Sequence, residues 1–174
     1  MNQTIAGAVI SAPKPKIYSD INLKISMDNS PSSLHAYGNS VGAIIKTYIP
    51  IGDAALIATK ALENGNMNLL SEIDPIILGY RNAVSNLLLI KVPSSAASQQ
   101  LNLINSLNLL LYVSDGLRNV EVDPMQSMVA LGLYADAHSS FVKAIVNMRN
   151  YLDTNNVSYS PSESGSIIYK ITTQ

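Results

Sequence analysis

Along most of the chain the apolar positions recur every three or four residues, and capping residues punctuate the pattern. Leu34, Tyr37, Val41, Ile44 and Tyr48 fall at intervals of 3, 4, 3 and 4. Ile76, Tyr80, Val84, Leu87 and Leu88 share one helical face, as do Leu101, Ile104, Asn108 and Leu111. The longest run is Tyr134, His138, Phe141, Ile145, Met148 and Leu152, spaced 4, 3, 4, 3 and 4; this is a heptad seam. Ser30-Pro31, Asp74-Pro75 and Asp123-Pro124 each set a capping side chain before a first-turn proline, whose missing N–H costs nothing there. The two aspartates also put negative charge at the positive end of a helix dipole. Pro50 with Gly52 and Asp53, and Pro93 with Ser94 and Ser95, end one helix and start the next. The pattern predicts helices near 31–49, 53–64, 75–92, 95–118 and 124–154. Five amphipathic helices with short connections fold as an all-α, up-and-down bundle.

The two ends read differently. In residues 1–29, Pro13 and Pro15 disfavour helix, and Ile21, Leu23, Ile25 and Met27 alternate with period two. That suits an extended segment with one buried face. In residues 156–174 the run Ile167–Thr172 is β-prone. The expectation is a small β appendage made by the two termini, or a pair of arms, around a bundle at 30–155. The stretch Ile5–Ile10 falls far short of the ~20 apolar residues of a membrane span. Residues 1–12 read as a short strand or arm, or as the remnant of a longer anchor.

The fourth helix has no clean polar face. Leu101, Leu103, Ile104, Leu107, Leu109, Leu110, Leu111 and Val113 surround it, so it is either central in its own bundle or covered by a partner.

Composition narrows the function without naming it. The 174 residues are 47% hydrophobic and 13% charged, enough apolar surface for one domain with a real core. Asn and Ser do much of the solubilising that Lys and Glu usually do. With 11 basic against 12 acidic residues, a net charge of −1 and Arg only at positions 81, 118 and 149, no basic patch invites nucleic acid. The absence of cysteine removes thiolate catalysis, disulfides and Cys-ligated zinc.

Candidate chemistry is thin. The two histidines, His35 and His138, lie far apart. His138 on the seam reads as a hydrogen-bonded core residue, with a ligand role as the sharper alternative. No paired carboxylates face a common seam, no Glu-x-x-His appears, and the serines lack a nucleophile elbow. Gly38 and Gly42 lie inside a helical pattern, where close packing is the simplest reason for them. Nine tyrosines against one Phe and no Trp are the one enrichment. Tyr37, Tyr80 and Tyr134 fall on buried faces and need hydroxyl partners. With His138 they form the candidate ligand-binding set. No catalytic residue, metal site or cofactor is assigned.

Tyr37-Gly38-Asn39, Asp74-Pro75 with Tyr80, Val92-Pro93, Leu103-Ile104-Asn105, Asp123-Pro124, Tyr134 and Ser160-Pro161-Ser162-Glu163-Ser164-Gly165 occur in that order. In this the chain resembles uncharacterised helical-bundle proteins of candidate-phyla-radiation bacteria, many of which carry an N-terminal membrane segment. The likeness covers roughly residues 34–169, with Ser164 where proline is expected. It implies a membrane-tethered, extracytoplasmic bundle at the cell envelope, and no activity. The expected function is a non-catalytic structural or protein-interaction module, acting through a protein partner or self-association. The alternative is a small-molecule-binding bundle with a cavity near His138.

Overall fold

The structure, a computed structural model, describes residues 14–171. The expectations for residues 1–12 and for Thr172 fall outside them. Five helices form near the predicted places: α1 (Pro31–Tyr48), α2 (Ala54–Glu63), α3 (Asp74–Leu87), α4 (Ala97–Arg118) and α5 (Pro124–Thr154), with a short α6 (Ile167–Lys170). The third is shorter than the 75–92 expected, since the chain leaves the helix after Leu87 and is extended at Lys91–Pro93. A 3-10 segment, Met67–Ile73, joins α2 to α3. The fold is an all-α bundle.

The missing polar face of α4 has a direct explanation, because α4 is the central helix. Leu103, Ile104, Leu107, Leu110, Val113 and Leu117 are all buried, and α2, α3 and α5 pack around them. The α4–α5 contact is the most extensive. It is also close: a Cβ on Gly116 would stand 2.7 Å from the Cβ of Ala130.

That closeness corrects the seam of α5. Phe141, Ile145, Met148 and Leu152 are buried as the spacing predicts, but Ala130, Ala137 and Ala144 complete the face. Tyr134 is half-buried and His138 is exposed. The expectation of a core histidine fails by one residue, about 100° of helix rotation. Where two helices nearly touch, small side chains take the contact. A seam drawn through the large residues therefore misses them.

Three caps form as expected. Ser30 Oγ accepts the Ser33 N–H at 3.3 Å, Asp53 Oδ1 the Leu56 N–H at 2.9 Å, and Asp123 Oδ1 the Gln126 N–H at 2.9 Å. Asp74 does not cap α3, since the 3-10 segment runs straight into that helix. Its carboxylate accepts Arg118 Nε–H at 2.7 Å instead, tying the start of α3 to the end of α4.

Both ends depart from the expected ribbon. Strand β1 (Lys24–Ser26) pairs in parallel with β2 (Lys91–Pro93), with Ile25 opposite Val92. Among the described residues, 17–27 and 167–171 do not pair with each other. Residues 20–22 form a 3-10 turn that breaks the period-two alternation, leaving Ile17, Ile21 and Met27 on the surface. The β-prone run at 167–170 is helical. It follows a 3-10 turn at Ser164–Ser166 and buries Ile168 completely, so tertiary burial overrides local preference. Among the described residues no helix is long and apolar enough to cross a membrane.

Candidate functional site

Two of the four candidate residues converge where α2 passes α5. Asp53 caps α2, and the same carboxylate oxygen accepts the Tyr134 hydroxyl at 2.8 Å. Burial, then this contact, raises the Tyr134 phenol well above its ordinary value. Tyr80 of α3 comes near the same carboxylate. Burial and the Asp53 charge push it up to about 12. Such phenols keep their protons at neutral pH. Tyr134 spends its proton on the hydrogen bond to Asp53.

From this polar end a groove runs between α2 and α5. Both helices lean on α4 while touching each other little, so the gap between them stays open. Antiparallel passage brings Asp53 beside Tyr134 and Leu62 beside Pro124 and Met128. The floor holds an apolar cavity of about 150 Å³ lined by Ala58, Leu62, Leu117, Val120, Met128 and Leu131. Met125, Met128, Val129 and Leu131 are 71%, 70%, 43% and 53% exposed, and Leu62 on the opposite wall is 51% exposed. From Pro124 to Ala135 helix α5 carries no charged residue. The periodicity did not reveal this surface, because apolar residues on both faces of a helix obscure which face is buried.

The other two candidates stand apart from it. Tyr37 lies in the core, where its hydroxyl donates to Gln100 Oε1 at 2.7 Å and lies 3.7 Å from Met148 Sδ. Burial pushes its pKa strongly upward. Gln100 Nε2 in turn donates to the Leu87 carbonyl at 2.8 Å, so this polar chain is internally satisfied. His138 projects into solvent one turn beyond Tyr134.

A second cluster was only partly visible in the sequence. His35 Nε2 sits 3.0 Å from Glu163 Oε1, and Asn39 Nδ2 is 3.1 Å from that oxygen and 3.5 Å from His35 Nδ1. A neutral imidazole protonated at Nε2 satisfies both contacts. The Tyr159 ring stacks on His35 at 4.9 Å. Glu163 Oε2 accepts the Ser160 N–H at 2.8 Å, which is the reciprocal half of the capping box that Ser160 and Glu163 suggest. The two glycines of α1 allow this docking. A Cβ on Gly38 would strike Tyr159, and one on Gly42 would strike the Ser164 backbone. With both ring nitrogens engaged by protein, His35 is a fastener between the C-terminal turn and α1. Among the described residues no group of three His, Asp or Glu is placed to hold a metal ion. Compared with known proteins, the chain matches no family model, no curated protein and no solved structure.

Proposed function

We propose that this bundle is a non-catalytic protein-interaction module that associates with a second copy of itself through the first three turns of α5. The observation that carries this is the exposed, charge-free apolar face bearing Met125, Met128, Val129 and Leu131. Contiguous apolar surface of this kind marks interaction sites in soluble proteins. A second copy is the simplest occupant. A two-fold interface sets a patch against itself, and a face without charges meets its own image without repulsion. Gly132 sits on this stretch in open space, allowing a facing helix to approach closely. The methionines add an adaptable surface.

The small-molecule alternative has less support, since His138 faces solvent and Tyr37 and Tyr134 spend their hydroxyls on protein partners. The place at the cell envelope rests on the resemblance and is tested by fractionating producing cells.

Light scattering on the purified chain tests the interaction. The wild type is expected to dimerise at micromolar to millimolar concentration. Met128→Glu should be monomeric with an unchanged circular dichroism spectrum. A wild type that stays monomeric throughout that range overturns the reading.

A further inference from the structure

Residues 16–18 lie across α4, where Tyr18 packs on the core and asparagine side chains take the main-chain polar groups of Lys16 and Tyr18. Asn105 Oδ1 accepts the Tyr18 N–H at 2.8 Å, and Asn105 Nδ2 donates back to the Tyr18 carbonyl at 3.0 Å. Asn108 Nδ2 donates to the Lys16 carbonyl at 2.7 Å. One amide thus reads both polar groups of a residue, as a neighbouring strand would, and the next reads the carbonyl two residues earlier. The grip is on main chain, so it is indifferent to side-chain identity.

Asn105 also forms a wall of an open cleft of about 530 Å³ between α4 and α5, within the ~300–1,000 Å³ usual for ligand sites. Asn102, one turn before Asn105 on α4, and Asn147, across on α5, line it with Ser140 and Lys143. Among the described residues, Asn102 and Asn147 have no hydrogen-bond partner for their side-chain amides. Its lining among the described residues has one cation, no carboxylate and no aromatic ring on which a sugar could stack. It offers paired donors and acceptors beside a single positive charge. That is the complement of an uncharged peptide main chain carrying one acidic group.

We propose that the α4/α5 cleft binds an extended polypeptide segment by its main chain, Asn102 and Asn147 repeating what Asn105 and Asn108 do for residues 16–18, with an acidic side chain of the segment against Lys143. This site is separate from the α5 face at 124–135 and does not depend on self-association. The intact chain is screened against a phage-displayed library of random octapeptides. Enriched sequences are then made as synthetic peptides and titrated into isotope-labelled protein. The expected result is binding that shifts the Asn102 and Asn147 side-chain amides, weakens at least tenfold in Asn102→Ala/Asn147→Ala, and weakens with salt or in Lys143→Ala. Methylating peptide main-chain nitrogens should abolish it. The three side chains are exposed, so an unchanged circular dichroism spectrum separates loss of binding from loss of fold. Peptides that bind the double variant equally well overturn the proposal. Oligosaccharides shifting those amides where peptides do not would overturn it in favour of a glycan site.

Discussion

The side-chain amide of Asn39 donates to Glu163 Oε1 at 3.1 Å across 124 positions of sequence, while its Oδ1 accepts the Gly165 N–H at 2.8 Å. One asparagine therefore holds both the side chain and the backbone of the C-terminal turn on α1. The arrangement needs Gly42, whose hydrogen faces the Ser164 carbonyl. Gly42→Ala should destabilise the domain by about 1–3 kcal/mol, because backbone cannot move aside as a side-chain tip can. Hydrogen exchange should show residues 160–171 losing protection while α4 keeps its own. Unchanged exchange in that segment would exclude the latch.

Acid should loosen the same contact. The Ser160 N–H, then the Asn39 amide, holds the Glu163 carboxyl below its ordinary value. A group with a lowered folded pKa contributes stability above its unfolded pKa, and that contribution disappears as pH falls through the folded value. The tail is therefore expected to stay docked at neutral pH and to loosen below roughly pH 4, the usual glutamate range. Exchange protection of residues 160–171 against pH is the measurement. Glu163→Gln should flatten the profile.

Alkali acts on the other polar cluster with the opposite sign. Tyr80 is raised to about 12 by burial and the Asp53 charge. The contribution of a raised group is complete below the unfolded value near 10 and is lost as pH climbs through 10 towards 12. Absorbance at the tyrosinate band should show exposed phenols ionising first, with a late set released together with helix loss. A single transition near pH 10 with helix intact would contradict the burial of Tyr80 and Tyr134.

The helices were legible because their signal is local. Leu34, Tyr37, Val41 and Ile44 mark α1 through spacing alone, and Asp53 and Asp123 mark helix starts through cap chemistry. What stayed hidden depends on distances between helices. Ala137 displaces His138 from the core only because α4 comes so near α5. Asp74 is no cap because the 3-10 segment runs straight into α3, and its carboxylate goes to Arg118, 44 positions away. Of the candidate residues, the need of Tyr134 and Tyr37 for hydroxyl partners was readable, but the partners Asp53 and Gln100 were not. No local pattern links Tyr18 to Asn105, since main-chain recognition leaves no mark on the residue recognised.

Gln100 offers a test of the core. Its side chain is fully buried and Tyr37 is its hydroxyl donor. Tyr37→Phe keeps the ring but leaves Gln100 Oε1 without that donor. The cost should be about 1–3 kcal/mol, the penalty for an unsatisfied buried acceptor. Denaturant unfolding measures it. Adding Gln100→Leu to Tyr37→Phe should recover part of the loss, as removing both partners is cheaper than removing one.

The register of α5 gives the sharpest contrast, because two adjacent residues have opposite fates. His138 is exposed, so His138→Ala should change stability by no more than about 0.5 kcal/mol. Ala137 has no exposed surface on the face toward α4, so Ala137→Leu should cost about 1–3 kcal/mol by overpacking a full contact. The spacing of the large residues alone predicts the reverse, a costly histidine truncation and a tolerated leucine. Chemical denaturation of both variants decides between the two registers. A His138→Ala cost near that of a large-to-small core change, beside a silent Ala137→Leu, would rotate the helix by one residue and return His138 to the core.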